Sequence, residues 1–193
     1  MDNESLISYF DNYLPLNKTE IEELSNRLIE RKIRRRQFLL QEFDICKHFT
    51  FVLKGCFKMY AIDIKGDEHI IQFIAENDWT ADLASLHKEK PSALFIEALE
   101  LSTVLQISKK DLWHLYTLFP KFDRNFRVII EDKFTDLQNR MLETISLSAE
   151  QRYLGFLEKY PQLAKRLPNT QIAAYLGVTP EFLSRIRKDL VKK

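Results

Sequence analysis

Apolar residues between Lys121 and Leu147 recur at intervals of three and four: Phe126, Ile130, Phe134, Leu137, Met141 and Ile145, with no glycine or proline in between. That spacing lines one face of an α-helix. Roughly 27 residues at ~1.5 Å each make a rod of about 40 Å. Its apolar face either covers a neighbouring domain or meets a second copy along a short coiled-coil seam, and the second use is the expectation. Upstream the pattern is shorter and extended. Ile33–Arg36, Phe38–Leu40, His48–Lys54, Cys56–Ile62, His69–Ala75, Ala93–Ala98 and Thr103–Ile107 are rich in aromatic and β-branched residues. Gly55 and Lys65-Gly66-Asp67 separate some of them as turns. Closely spaced short strands of this kind predict an antiparallel sandwich or barrel. Asp78 to His87 reads as a loop with one helical turn.

Helices flank these strands. Leu6, Ile7, Phe10, Tyr13 and Leu14 mark one over residues 3–15. Thr19 and Glu22 form a capping box that opens a second, running to about Leu28. Ser108-Lys109-Lys110-Asp111 opens a third, which Pro120 ends. Ser148-Ala149-Glu150-Gln151 opens another, closed by Tyr160-Pro161.

Near the carboxyl end the pattern predicts a helix-turn-helix. Ile172, Ala173 and Leu176 form the apolar stripe of its first helix, and Gly177 stops that helix by taking the left-handed conformation a Cβ disfavours. Thr179 is placed to cap the next helix, and Pro180 suits its first position, where a missing N–H costs nothing. Leu183 and Ile186 are the apolar positions of the second helix. Glu181, Ser184, Arg185 and Lys188 share its polar side. Arg can donate two bonds to guanine and Glu can accept from cytosine, so Glu181, Ser184 and Arg185 are candidates for base edges, with Arg187 and Lys188 on phosphates and Thr179 a further DNA-binding candidate. Charge sharpens this picture. From Lys165 to Lys193 seven cations face two acids, a balance of +5, whereas the whole chain carries +1. Positive charge is concentrated at the end that would meet DNA.

Composition narrows the remaining classes. At 45% hydrophobic and 30% charged, the chain reads as a soluble protein able to bury a core. No apolar run of about 18 residues predicts a membrane span, and Met1-Asp2-Asn3-Glu4 lacks the order of a secretory signal, so a cytoplasmic location is expected. Cys46 and Cys56 stand alone and are expected as buried thiols, with no metal site. His48, His69, His87 and His114 are scattered without a nucleophile–base or metal-ligand spacing, so an enzyme is not expected. The basic run Arg31 to Arg36 falls in a strand, where alternate faces point to a solvated or ion-paired edge in preference to phosphate contact.

Specific stretches carry a family resemblance. Phe49 to Tyr60 pairs two strands around Gly55. Asp78-Trp79 leads into Ala81-Asp82-Leu83 and then Pro91-Ser92-Ala93. Leu105 to Leu112 makes a strand-to-helix exit, and Ser148 to Pro161 precedes the terminal helix pair. In this order they resemble the Crp/Fnr family of bacterial transcription regulators. The resemblance implies an α+β chain with an antiparallel double-stranded β-helix (jelly-roll-like) effector domain, a long dimerisation helix and a C-terminal helix-turn-helix. The divisions are residues 1–120 for a cyclic-nucleotide-binding-like β-roll with N-terminal helices, 121–147 for the dimerisation helix and 148–193 for the DNA-binding part. It further implies a homodimer through residues 121–147 on double-stranded DNA, with RNA polymerase as a candidate further partner and no membrane.

Three departures qualify the resemblance. Cyclic-nucleotide-binding members carry Gly-Glu and Arg-Ser/Thr-Ala where this chain has Ala81-Asp82 and Pro91-Ser92-Ala93. Pro91 offers neither charge nor donor, and charged hydrogen bonds are worth ~1.5–3 kcal/mol each. Cyclic AMP is therefore not expected in the usual mode, and the effector, if any, is left unidentified; Ala81, Asp82, Leu83, Ser92 and Ala93 are the pocket candidates. Pro180 occupies a position where many members carry a contacting side chain. Asp189 to Lys193 stand where members continue into a small β wing, so dimerisation is expected to matter more for affinity. The competing reading is a ligand-binding or protein-interaction module without DNA function.

Overall fold

The computed structural model describes residues 3–192. The reading of Met1 and Asp2 at the acidic amino terminus, and the closing Lys193, lie outside the described residues. The chain packs as two compact units: residues up to Ala61 with Gln72–Glu131, and Ile62–Ile71 with the chain from Asp132 onward.

The first unit opens with α1 (Glu4–Asp11) and α2 (Lys18–Ser25). The cap of α2 lies two residues earlier than the pattern indicated. Asn17 Oδ1 accepts from Glu20 N at 3.0 Å, and Glu20 Oε2 accepts from Asn17 N at 2.7 Å. Glu20 also receives Lys121 Nζ at 2.9 Å, so the capping carboxylate is part of an ion pair as well. Asn17 and Glu20 hold the same three-residue offset as Thr19 and Glu22, and sequence spacing alone does not separate the two boxes.

Strands β1 (Ile29–Ile33), β2 (Phe38–Leu40), β3 (His48–Lys54), β4 (Phe57–Ile62), β5 (Glu68–Ile74), β6 (Asp78–Thr80), β7 (Phe95–Ala98) and β8 (Ser102–Ser108) build two four-stranded sheets. One has the order β1-β8-β3-β6, the other β2-β7-β4-β5. The registered pairings β1–β8, β3–β6, β3–β8, β2–β7 and β4–β7 are all antiparallel. Two expectations change here. The extended run Ile33–Arg36 ends at Ile33. Arg34 to Gln37 form a turn in which Gln37 N donates to Arg34 O and Arg36 takes φ 64°. Asp78 to Thr80, expected as loop, form β6, with Phe51 opposite Trp79. Three residues are too few to display an alternation, and only the partner strand defines them.

The β1-β8-β3-β6 sheet turns one face to the helices. Phe49, Phe51 and Trp79 meet Phe10 and Phe126 in an aromatic cluster, with Trp79 stacked on Phe49 at 5.0 Å and edge-on to Phe126 at 5.1 Å. Leu105 and Ile107 are buried in the same core. Between β6 and β7 lies α3 (Leu83–Lys88), and after β8 comes α4 (Lys109–Leu118), capped by Ser108 as expected. Phe119 is extended, and Pro120, expected to end α4, is the first residue of α5 (Pro120–Ser146), where proline is tolerated.

The second unit contains α5 from Asp132, α6 (Ala149–Lys159), α7 (Pro161–Arg166), α8 (Asn169–Leu176) and α9 (Pro180–Lys192). Ser148 and Gln151 form the capping box of α6. Tyr153, Phe156, Leu163, Leu167, Ile172, Leu176 and Leu183 are buried in this unit. Cys46 and Cys56 are buried thiols not joined in a disulfide.

Candidate nucleic-acid interface and effector pocket

The turn between α8 and α9 forms for the local reasons its residues supply. Gly177 sits at φ 66°, ψ 39°, and the amide of Val178 donates back to Ala173 O at 3.0 Å. Thr179 Oγ1 accepts from Phe182 N at 3.2 Å, closing the first turn of α9. Ala173 and Leu183 are both fully buried in this unit, so the two helices approach closely where Ala173 is small. The apolar side of α9 is thereby spent on the hairpin, and Glu181, Ser184, Arg185, Arg187 and Lys188 are all exposed.

The candidates differ in how free they are. Thr179 is exposed but uses its hydroxyl as the α9 cap. Arg187 donates to Asn169 Oδ1 at the start of α8, which ties the middle of α9 to the first residue of α8. Arg185 lies 5.3 Å over the ring of Phe182, itself half-exposed. Phe182 was not singled out by sequence. It lies one position off the Leu183–Ile186 stripe, and that offset is the signal that marks it as a surface aromatic. Cation–π contact narrows the directions in which the Arg185 fork can point.

A second residue invisible to pattern is Arg140 on α5. Its Nη2 donates to Ile70 O at 2.8 Å and Tyr175 O at 2.7 Å, its Nη1 donates to Ile71 O, and the guanidinium stacks 4.0 Å over the Tyr175 ring. Burial pushes this guanidinium below its ordinary value and the Tyr175 phenol above its own. Arg140 thus binds α5, α8 and the 62–71 segment within one unit.

The effector candidates lie in the first unit. Asp82 caps α3: its Oδ1 accepts from Ser85 N at 3.1 Å, and its Oδ2 accepts from Ser92 Oγ at 2.7 Å. Both side chains are buried. Ser92 N also donates to Asp44 O, and Phe43 N to Ser92 O, each at 2.8 Å. Asp82 and Ser92 therefore come together, but on each other. Ala81 and Leu83 are half-buried, and Ala93 is exposed. Lys88 and Lys90 point outward, and Glu89 pairs with Lys109 at 2.8 Å. Replacing Asp82 by alanine removes the cap and the shorter bond of Ser92 Oγ, which keeps only Leu94 O at 3.2 Å as acceptor. A loss of about 1–3 kcal/mol in urea unfolding is expected, with Asp82→Asn losing less because it keeps an acceptor for the Ser85 amide.

Among the described residues no helix is long and apolar enough to cross a membrane, and no group of three or more His, Cys, Asp or Glu could hold a metal ion.

Comparison with known proteins agrees with this architecture. Residues 30–117 match the cyclic nucleotide-binding domain family. A protein of Lacticaseibacillus casei named as a probable transcriptional regulator, Flp, is 25% identical over 170 residues, covering 85% of this chain and 77% of its own length. The fold is shared with the c-di-GMP-responsive global regulator CLP of Xanthomonas campestris, at TM-score 0.74 and 15% identity over 91% of this chain and 92% of that one. FixK2 of Bradyrhizobium japonicum superposes at TM-score 0.74 and 19% identity over 86% and 85%. With an antiparallel two-sheet domain, a long helix and a terminal helix-turn-helix in this order, the chain carries a cyclic nucleotide-binding-type domain at residues 30–117 and is similar along most of its length to Crp/Fnr-type transcriptional regulators.

Proposed function

We propose that this chain is a sequence-specific, dimeric DNA-binding transcription regulator of the Crp/Fnr type, acting in the cytoplasm, whose effector domain does not hold cyclic AMP in the family's usual way. The observation that carries the proposal is the α8–α9 hairpin: its apolar side is consumed in packing, and Glu181, Ser184, Arg185 and Lys188 are left exposed along one side of α9. Such a helix enters a major groove with its first turns toward base edges. Arg185 and Glu181 read bases; Lys188 and Arg187 meet phosphates.

Dimerisation through residues 121–147 is supported by the exposed apolar residues Phe134, Leu137, Met141 and Ile145 of α5, which are 51% to 74% accessible and spaced at three and four. Four large apolar side chains in a row on one helix are an interface signature. Two copies joined there present two α9 helices to half-sites about one helical turn, or ~34 Å, apart. The divisions 1–120, 121–147 and 148–193 serve, in this reading, as effector, dimer and DNA-reading parts, with RNA polymerase as a further partner. The doubt over cyclic AMP rests on Asp82 and Ser92 satisfying each other and on Pro91 where the family's ligand-holding arginine stands.

The test is a gel shift on the promoter region of the chain's own gene. Arg185→Ala is expected to bind about 5- to 150-fold more weakly, the equivalent of one lost bidentate base contact at ~1–3 kcal/mol. Equal binding by both proteins would remove Arg185 from the readout. No salt-dependent binding by the folded wild type would favour an interaction module without DNA function.

A further inference from the structure

Phe182 lies one position off the apolar stripe of α9, and its ring stays in the open. Among the described residues of α8 and α9 it is the only large apolar side chain left exposed, at 40%. The hairpin does not need the ring. Leu183 and Ile186 fill the core positions of α9, at 0% and 8% exposure. The cap uses Phe182 through its backbone: its amide donates to Thr179 Oγ1, and any residue except proline supplies that amide. Single exposed apolar residues are ordinary on a protein surface. The place of this one sets it apart. Its neighbour in the chain is Glu181, and Arg185, one turn later, lays its guanidinium over the ring at 5.3 Å. Those are the two side chains proposed to read bases.

The chemistry of the major groove says what a phenyl ring can meet there. It has no donor for a phosphate oxygen, so it takes no part in backbone positioning. Thymine alone presents a methyl group in this groove, and apolar side chains, phenylalanine included, recognise it. The other three bases present donors and acceptors that a ring would strand without partners. Surface remains for a methyl group, because the ring keeps its 40% exposure with the guanidinium already lying on it. Residues three apart on a helix are neighbours, and base pairs stack at about 3.4 Å. A separation of 5.3 Å therefore corresponds to one or two base-pair steps.

We propose that Phe182 is a base-reading residue whose ring packs on the C5-methyl of a thymine within two base pairs of the guanine that Arg185 contacts. The inference rests on the reading of α9 as a major-groove helix and adds to it a contact made without a hydrogen bond. What Phe182 recognises is the methyl group itself, so it separates thymine from deoxyuridine, which pair with adenine alike.

The experiment uses the full chain on a duplex selected from a random library, followed by fluorescence anisotropy. The guanine of Arg185 is the one whose replacement weakens the wild type but not Arg185→Ala. Each thymine within two base pairs of it is then replaced by deoxyuridine in both half-sites, which removes the methyl and keeps the pairing. At one of these positions the wild type is expected to lose about fourfold per half-site, or about 15-fold for the two, the worth of one buried methyl group each. Phe182→Ala is expected to bind the thymine and deoxyuridine duplexes alike. Phe182→Leu, which keeps an apolar side chain, is expected to retain the preference. A purely structural role for the ring would weaken binding to both duplexes by the same factor, so the ratio between them isolates the contact. The log–log salt slope of Phe182→Ala is expected to equal that of wild type, because no phosphate contact is lost. A slope shallower by about 1.8, two lost contacts at ~0.9 each, would place the effect on phosphates and overturn the proposal. It is likewise overturned if deoxyuridine at every such thymine leaves the wild type unchanged, if Phe182→Ala keeps the wild-type ratio, or if no guanine depends on Arg185 or no thymine stands within two base pairs of it. Any of these results in a wild type that still selects a sequence removes Phe182 from the readout and leaves the regulator reading standing. A wild type that selects no sequence overturns both.

Discussion

Replacing Leu137 and Met141 together by glutamate is expected to lower DNA affinity by two orders of magnitude or more while each chain keeps its helical content. Both residues are more than half exposed on α5. In a dimer they would face their counterparts across the seam, and two carboxylates per chain would have to be desolvated there without partners. A dimer weakened by ~3 kcal/mol or more dissociates over a hundredfold more readily. DNA binding then falls from two tethered heads to one, a loss of about 10²–10⁴. Sedimentation velocity checks the first step, a fluorescence-anisotropy titration the second, and far-UV circular dichroism the integrity of α5. Unchanged affinity in a monomeric variant would show that one head suffices. A variant still dimeric would move the interface elsewhere.

Gly55→Ala is expected to be the most damaging single change to stability. Gly55 joins β3 to β4 at φ 105°, a conformation that side chains rarely adopt. A Cβ there would stand 2.1 Å from Ser102 Oγ, 2.6 Å from Ser102 Cβ and 2.8 Å from Ser102 Cα. The last of these is backbone in β8, which is paired to β1 and β3 and has little room to move. Strain of ~1–3 kcal/mol from the dihedral adds to overpacking of similar size, so a total above ~3 kcal/mol is expected. At a urea m-value of ~1–3 kcal/mol per molar, the midpoint falls by at least about 1 M with m unchanged. Ser102→Gly in the same background removes the Oγ and Cβ clashes, and partial recovery identifies Ser102 as the obstacle. A Gly55→Ala protein with an unshifted midpoint would mean that β8 yields at no cost.

The parts of the fold written in local chemistry are those that sequence conveys. Gly177, Thr179 and Pro180 each act on their own backbone or the next turn, and the α8–α9 hairpin follows from them. The freedom of residues 121–147 from glycine and proline marks α5 in the same way. What sequence does not convey is set by partners far along the chain. Strand β6 exists because Trp79 lies opposite Phe51, and the Asn17 cap is reinforced by Lys121, over a hundred residues away. Arg140 lies off the apolar stripe of its helix, and nothing local announces three carbonyl acceptors on Ile70, Ile71 and Tyr175. The candidate sites divide similarly. Glu181, Ser184, Arg185 and Lys188 are exposed on one helix, as a period of 3.6 requires. Asp82 and Ser92 turn out to be bonded to each other.

The most direct measurement is the stoichiometry and salt dependence of binding to a palindromic duplex, followed by anisotropy between low and moderate salt. Two chains per duplex are expected, each placing Arg187 and Lys188 on phosphates. The log–log slope of affinity against salt should then be about −3.6, at ~0.9 for each of the four contacts. One chain per duplex, or a slope near zero, would contradict two α9 helices docked side by side in the grooves.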